Sequence, residues 1–219
     1  MAILNVLDRQ NTVMNTFIAQ MRDSAIQCDA MRFRRNLERV GEIMAYEISK
    51  SLTYEPRIVE TPLGEAEVML PTNEIVIGTI LRAGLPFHQG FLNYFDGAGS
   101  AFVSAYRKYS KDGTFKVKVE YISSCDLTDK TLILVDPMLA TGTSLLLTYN
   151  ALIEYGGEPA HTHFATVVAS EEGVEYSKKH LPKRGTSIWC GTVDAEMTVK
   201  SYIVPGIGDA GDLAYGLKL

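Results

Sequence analysis

Apolar and polar positions change their period several times along this chain, and each change marks an element. From Ala30 onward Phe33, Leu37, Val40, Met44 and Ile48 recur at spacings of three and four, which predicts an amphipathic helix reaching about Leu52 with Asp29 as its cap. A looser helical pattern over 8–27 carries Val13, Phe17, Ala19 and Met21. Arg57 to Leu63 and Glu65 to Leu70 read as two short strands joined at Pro62-Leu63-Gly64, a β-arm. The apolar runs Glu74 to Leu81 and Thr131 to Val135 predict central strands, the second buried on both faces as in parallel sheets. Ala101 to Tyr106, Val117 to Ile122, His161 to Ala169 and Thr186 to Cys190 supply further strands. Between them lie helices at about Phe87 to Tyr94, from Leu145 to a Gly156-Gly157 stop, and at Glu171 to His180. Strands alternating with helices predict an α/β fold with a mostly parallel, doubly wound sheet.

One stretch concentrates the chemistry. The strand at Thr131 to Val135 ends on Asp136, and Pro137-Met138-Leu139-Ala140-Thr141-Gly142-Thr143-Ser144 leads into a helix. Strand, loop and helix in that order place the loop at the carboxyl edge of the sheet, where open α/β folds bind ligands. Gly142 permits close backbone approach, Thr141, Thr143 and Ser144 add hydroxyls, and the helix start offers unpaired N–H groups. Together they make a seat for a phosphate. Asp136 would repel an anion, so its natural partners are sugar hydroxyls, and the inferred ligand is a sugar carrying phosphate. No Gly-Lys-Ser/Thr follows, which excludes a Walker A loop, and an ordinary strand-to-helix turn is the simpler alternative.

Other candidates divide between chemistry and packing. Arg82-Ala83-Gly84-Leu85-Pro86 follows the first core strand. Residues 105–118 hold Arg107, Lys108, Lys111, Lys116 and Lys118 against Asp112 alone, either a solvated hairpin or a basic flap over an anion. Gly206, Gly208 and Gly211 satisfy G-x-G-x-x-G, but too little chain follows for a dinucleotide fold, so the stretch Tyr202 to Asp212 reads as a rigid loop whose exposed backbone can recognise the edge of a planar base. Arg32, Arg34, Arg35 and Arg39 lie off the helix stripe and read as a solvated face. His161 and His163 share a strand face without a recognisable third metal ligand, so an ordinary strand is preferred. His88 and Trp189 read as packing residues.

Bulk composition narrows the class. The chain has 219 residues, 46% hydrophobic and 21% charged, which suits one soluble domain with a sizeable core. Cys28, Cys125 and Cys190 are odd in number and widely spaced, giving no disulfide framework, and Met1 to Gln10 has no signal architecture, so a cytoplasmic protein without membrane contact is expected. A net charge of −5 argues against a nucleic-acid partner.

The stretch Asp136 to Ser144 resembles the phosphoribosyl-pyrophosphate (PRPP) motif of type I phosphoribosyltransferases. Together with Ile80-Leu81-Arg82-Ala83-Gly84-Leu85, Ala105-Tyr106-Arg107 and Pro205-Gly206-Ile207-Gly208-Asp209-Ala210-Gly211-Asp212, it is similar in detail to the uracil phosphoribosyltransferases, which carry Asp-Pro where many relatives have two acids. The resemblance covers nearly the whole chain. It implies a single domain with N-terminal helices and β-arm over 1–72, a core over 73–190 and a C-terminal uracil-binding hood over 191–219. It implies transfer of the 5-phosphoribosyl group from PRPP to uracil, giving UMP and pyrophosphate. PRPP is expected on Arg82, Arg107, Asp136, Pro137, Met138, Leu139, Ala140, Thr141, Gly142, Thr143, Ser144 and Asp209, with Arg82, Arg107, Asp136 and Asp209 carrying catalysis. Uracil is expected on the main chain at Ile203, Gly208, Asp209 and Ala210. Mg²⁺ is expected as cofactor, held through PRPP rather than by a protein cage, with GTP as an effector known in the family and a homodimer or larger homo-oligomer as the assembly. Two alternatives remain open: a regulatory protein on the same fold that senses uracil or UMP, and a phosphoribosyltransferase for another base.

Overall fold

The computed structural model describes residues 2–109 and 115–218; the side chains of 105–109 and 115–119 lie outside the described residues. In chain order the elements are β1 (Ile3–Val6), α1 (Met14–Arg22), α2 (Ala30–Ser49), β2 (Tyr54–Thr61), β3 (Gly64–Pro71), β4 (Ile75–Leu81), α3 (Gly84–Leu92), β5 (Gly99–Tyr109) and β6 (Phe115–Ser123). There follow β7 (Thr131–Val135), β8 (Met138–Leu139), α4 (Thr143–Gly156), β9 (His161–Ser170), α5 (Glu171–His180), β10 (Thr186–Asp194), β11 (Glu196–Met197), β12 (Ile203–Val204) and α6 (Ala210–Tyr215).

The central sheet runs in the order β1, β10, β9, β7, β4, β5, β6, with β8 added beside β9. All its pairings are parallel except that of β5 with β6 at one edge. All five residues of β7 are buried, as an unbroken apolar run requires when helices cover both faces. Alternation then sorts its side chains. Ile133 and Val135 join Ile77, Phe33, Leu37, Val40, Phe87 and Phe91 in the layer beneath α2 and α3. Leu132 and Leu134 join Val76, Leu145, Tyr149, Leu152 and Phe164 on the face covered by α4. The α2 stripe is entirely buried, and the Asp29 carboxylate accepts from the Arg32 N–H at 3.0 Å, so cap and stripe are both observed. β2 and β3 form the β-arm as a separate antiparallel ribbon.

Four expectations change. The sheet begins with β1, not at residue 74, because Ile3 to Val6 pairs in parallel with Ser187 to Cys190; four residues at a half-exposed edge are too few to set up a period. The first helix is confined to Met14–Arg22 and buries Met14, Ile18 and Met21, leaving Val13 exposed. The irregular C-terminal loop turns helical at Ala210, because the Asp209 carboxylate accepts the Asp212 N–H at 3.0 Å and caps a short helix. Arg34 is not simply solvated: its Nη1 donates to the Ala214 carbonyl at 2.6 Å and its guanidinium lies 5.8 Å from the centroid of the Tyr215 ring, which ties α2 to α6.

His161 and His163 are used within the sheet. Their rings lie 4.3 Å apart, His161 Nε2 is 3.1 Å from Ser187 Oγ, and the Trp189 indole N–H donates to His163 Nδ1 at 3.1 Å across the β9–β10 pair. His88 is buried in α3 with its ring 5.3 Å from that of Phe102. Burial first, and the adjacent His161 second, push His163 from its ordinary 6.5 down to about 3. The folded chain therefore holds a neutral imidazole that the unfolded chain protonates more readily. Its contribution is intact above the unfolded value near 6.5 and is lost as pH falls from there toward about 3. On going from about pH 7 to about pH 5, urea unfolding of the wild type should lose roughly 2 kcal/mol more than that of His163→Gln. Equal losses in the two proteins would refute this assignment.

Candidate active site

The site is built where β7 and β4 end. Val135 is the last residue of β7, and the chain does not leave the sheet freely after it. The Asp136 N–H donates to the Ala165 carbonyl at 3.1 Å, and the Pro137 carbonyl accepts from both Val167 and Val168 at 3.1 and 3.0 Å. Met138 and Leu139 then pair with Val168 and Ala169 as β8. The expected loop is thus a sheet-bound strap, with Asp136 at its start and the Met138 N–H 3.5 Å from the Asp136 carboxylate.

At the far end of the strap, Ser170 Oγ donates to the Ala140 carbonyl at 2.6 Å and accepts the Gly173 N–H at 2.8 Å. One hydroxyl therefore caps α5 and fixes the strap. Gly142 adopts φ +78 at the start of α4, with no side chain capping that helix. A Cβ there would lie 2.9 Å from Tyr176 Cδ1 and 3.1 Å from the Gly173 carbonyl, so both the backbone angle and the space require glycine. The Thr143 N–H donates to Thr141 Oγ1 at 3.4 Å and the Leu146 N–H to the Gly142 carbonyl at 3.1 Å, and a helix start of this kind is where unpaired N–H groups can meet an anion.

Arg82 follows β4 directly. Its Nη2 donates to Asp212 Oδ1 at 3.1 Å and to the Gly216 carbonyl at 3.2 Å, while its buried Nε has no hydrogen-bond partner among the described residues. Arg82 lines a cleft of about 460 Å³. Asp136, Met138 to Gly142, Ser144, Gly208, Asp209 and Ala210 line the same cleft, so most residues singled out in the sequence converge on one place. Pro137, Thr143 and Ile203 are not among the lining residues, and Ile203 is buried in β12. Arg107 lies in β5 in register with Val117, and its side chain, like residues 110–114 of the basic flap, lies outside the described residues.

Sequence reading missed Ser170 and Lys218, the second of which lines the cleft beside Tyr202. For Ser170 a signal existed: a serine just before Glu171, Glu172 and Gly173 is an ordinary helix start. Lys218 reaches the cleft only through long-range folding.

A family model described as uracil phosphoribosyltransferase matches residues 8–216. The chain belongs to the uracil phosphoribosyltransferase family. A uracil phosphoribosyltransferase of Porphyromonas gingivalis is 55% identical over 213 residues, covering 97% of this chain and 98% of that protein. Among solved structures, a protein of Aquifex aeolicus aligns with a TM-score of 0.85 at 27% identity, covering 99% of this chain and all of that one. The orotate phosphoribosyltransferase of Mycobacterium tuberculosis, solved with PRPP, aligns with a TM-score of 0.52 at 15% identity, covering 86% of this chain and 95% of that one, and shares the fold. The mostly parallel sheet with flanking helices is therefore the type I phosphoribosyltransferase fold.

For this family member, Ser170→Ala should lower unfolding free energy by about 1–2 kcal/mol, from loss of the α5 cap and of the Ala140 anchor together. Urea titration checks this, and a loss below about 0.3 kcal/mol would show that the hydroxyl anchors nothing.

Proposed function

We propose that the protein transfers the 5-phosphoribosyl group of PRPP to uracil, forming UMP and releasing pyrophosphate, in the cleft between the Asp136–Ser144 strap and α6. The observation that carries this reading is the convergence in one cleft of an anion seat, a carboxylate suited to sugar hydroxyls, an arginine and an irregular stretch of backbone.

In this reading the seat at Ala140 to Ser144 holds the 5-phosphate and Asp136 accepts hydrogen bonds from the ribose hydroxyls. Arg82, with Arg107 from β5, binds the diphosphate. Arg82 exchanges the Asp212 carboxylate and the Gly216 carbonyl for the incoming anion, so its charge is paired before and after binding. Uracil lies against main-chain groups at Ile203, Gly208, Asp209 and Ala210. The bond between ribose C1 and the diphosphate oxygen breaks, a bond to uracil N1 forms, and the N1 proton passes to the departing pyrophosphate or to water. Positive charge on the sugar and negative charge on the leaving group grow together, so the guanidinium supplies stabilisation where charge develops. In-line placement of N1 supplies the rest, and no covalent enzyme intermediate is required.

The donors present fit Mg²⁺ as the family's chemistry implies. Asp136 and Asp209 offer hard oxygens on the cleft wall, and among the described residues no group of three His, Cys, Asp or Glu converges as a closed metal cage. Such a site suits an ion that takes one or two carboxylates and otherwise relies on substrate oxygens. When bound, the ion neutralises diphosphate charge. A homo-oligomer is supported by the β-arm, a two-stranded ribbon that leaves Ile58, Leu63 and Met69 exposed and is too small to be stable unsupported.

The test is UMP formation from uracil, PRPP and Mg²⁺, with cytosine, hypoxanthine and orotate as competing bases. Uracil alone should turn over, and Asp136→Asn and Asp209→Ala should each lower kcat/KM by about 10- to 100-fold. Saturable PRPP binding without turnover of any base would overturn the enzyme reading in favour of a uracil or UMP sensor.

A further inference from the structure

We infer that Arg22 and Asp194, which lie outside the cleft, are positioning residues for the base-binding loop and set the affinity for the base independently of that for PRPP. The inference rests on the proposed placement of uracil against the backbone of residues 203–210.

Asp194 is the last residue of β10 and is 7% exposed. Its two carboxylate oxygens accept from the two terminal nitrogens of Arg22 at 2.7 and 2.8 Å, a bidentate pair between the end of the sheet and the end of α1. The pair is not closed on itself. Asp194 Oδ2 also accepts the Gly206 N–H at 2.9 Å, and Arg22 Nη1 also donates to the Gly206 carbonyl at 3.0 Å. Both polar groups of one residue are thereby held by two charged side chains from distant elements. Gly206 adopts φ +58, and a Cβ there would collide with the Ile203 carbonyl, so the clamp grips the tightest point of the turn between Ile203 and Gly208.

A second contact comes from the same side. The Gln27 amide nitrogen donates to the carbonyls of Met21 and Arg22 at 3.2 and 3.1 Å, and its oxygen faces Gly208, 3.5 Å from where a Cβ would stand. The C-terminal end of α1 thus braces the loop at 206, and Gln27, in the turn after α1, lies beside it at 208.

The chemistry favours positioning over simple stability. Taking a carboxylate and a guanidinium out of water costs most of what their attraction returns, so such a pair adds little net stability. Its hydrogen bonds do fix direction, because the planar guanidinium fork matches the carboxylate in only one orientation. Burial alone would raise the Asp194 carboxyl, but the hydrogen bonds from Arg22 and Gly206 and the Arg22 charge outweigh it and hold the group below the usual carboxylate range. The clamp is therefore charged throughout the neutral range. A base recognised by backbone groups is sensitive to small displacements of that backbone, and about 1 Å of misplacement can cost roughly 100-fold. The PRPP seat on the strap shares none of these contacts.

The test compares Arg22→Gln, Arg22→Lys and Asp194→Asn with the wild type. Its readouts are KM for uracil, KM for PRPP, and calorimetric binding of UMP and of PRPP. Arg22→Gln should raise uracil KM and UMP Kd by about 10-fold or more while PRPP values stay within about twofold. Arg22→Lys, which keeps the cation but only one nitrogen of the fork, should fall between and supplies the same comparison if Arg22→Gln does not fold. Uracil and PRPP constants that move together, or a folded variant with an unchanged uracil KM, would overturn the positioning role. A wild type that turns over no base at all would instead sink the proposed function, so the two failures are distinguishable.

Discussion

The separation between the Asp136 carboxylate and the start of α4 is fixed by hydrogen bonds to β9, and the proposed site depends on that. A free loop of seven residues from Asp136 to Gly142 would sample many spans. Here the Pro137 carbonyl accepts two N–H groups, Met138 and Leu139 pair as β8, and Ser170 holds the Ala140 carbonyl. Backbone pairing on a buried strand is among the stiffest connections a protein has, because each broken bond would leave a buried polar group unsatisfied. Two recognition elements are thereby held at one spacing without any side chain bridging them.

Electrostatics across the cleft follow from this rigidity. The strap contributes a helix start, which favours anions, and Asp136, which opposes them. The cleft is also lined by Asp209, the cap of α6, and by Arg82, whose guanidinium donates to Asp212 in that helix. In a chain of net charge −5, pairing Arg82 with Asp212 keeps the cleft from accumulating unpaired charge of either sign. The pair is about one third exposed, so water weakens it, and a highly charged diphosphate competes well for the guanidinium.

Legibility in the sequence tracks how local the determining contacts are. α2 was readable because Asp29 and five apolar positions lie within twenty residues, and β7 because five consecutive apolar residues admit little else. The PRPP strap was readable because strand, carboxylate, glycine and hydroxyls are contiguous. β1 was not, being four residues whose sheet partner among the described residues is β10, at the other end of the chain. Arg34 looked like one solvated cation among four, and nothing near it encodes the Ala214 carbonyl it binds 180 residues later. The strand ending at Cys190 in the sequence reading continues to Asp194, because the period is masked by Gly191 and Thr192, yet those added residues deliver the carboxylate that reaches Arg22.

A base read by backbone groups is read by the path of the chain, which places a demand on everything behind the loop. In the proposed site the groups that would meet the base at 208–210 are main-chain groups common to all residues, so side-chain identity there does not itself encode the base. What varies is the angle at which they are presented. That angle is set here by Gly206, by the cap that Asp209 makes for α6, and by the hold of α2 on α6 through Arg34. Each is a stiff contact to an element already anchored in the core, so the irregular loop inherits its order from the sheet and helices behind it. The C-terminal segment is therefore short on regular structure and rich in constraint, which is the combination that recognition of a small planar base requires.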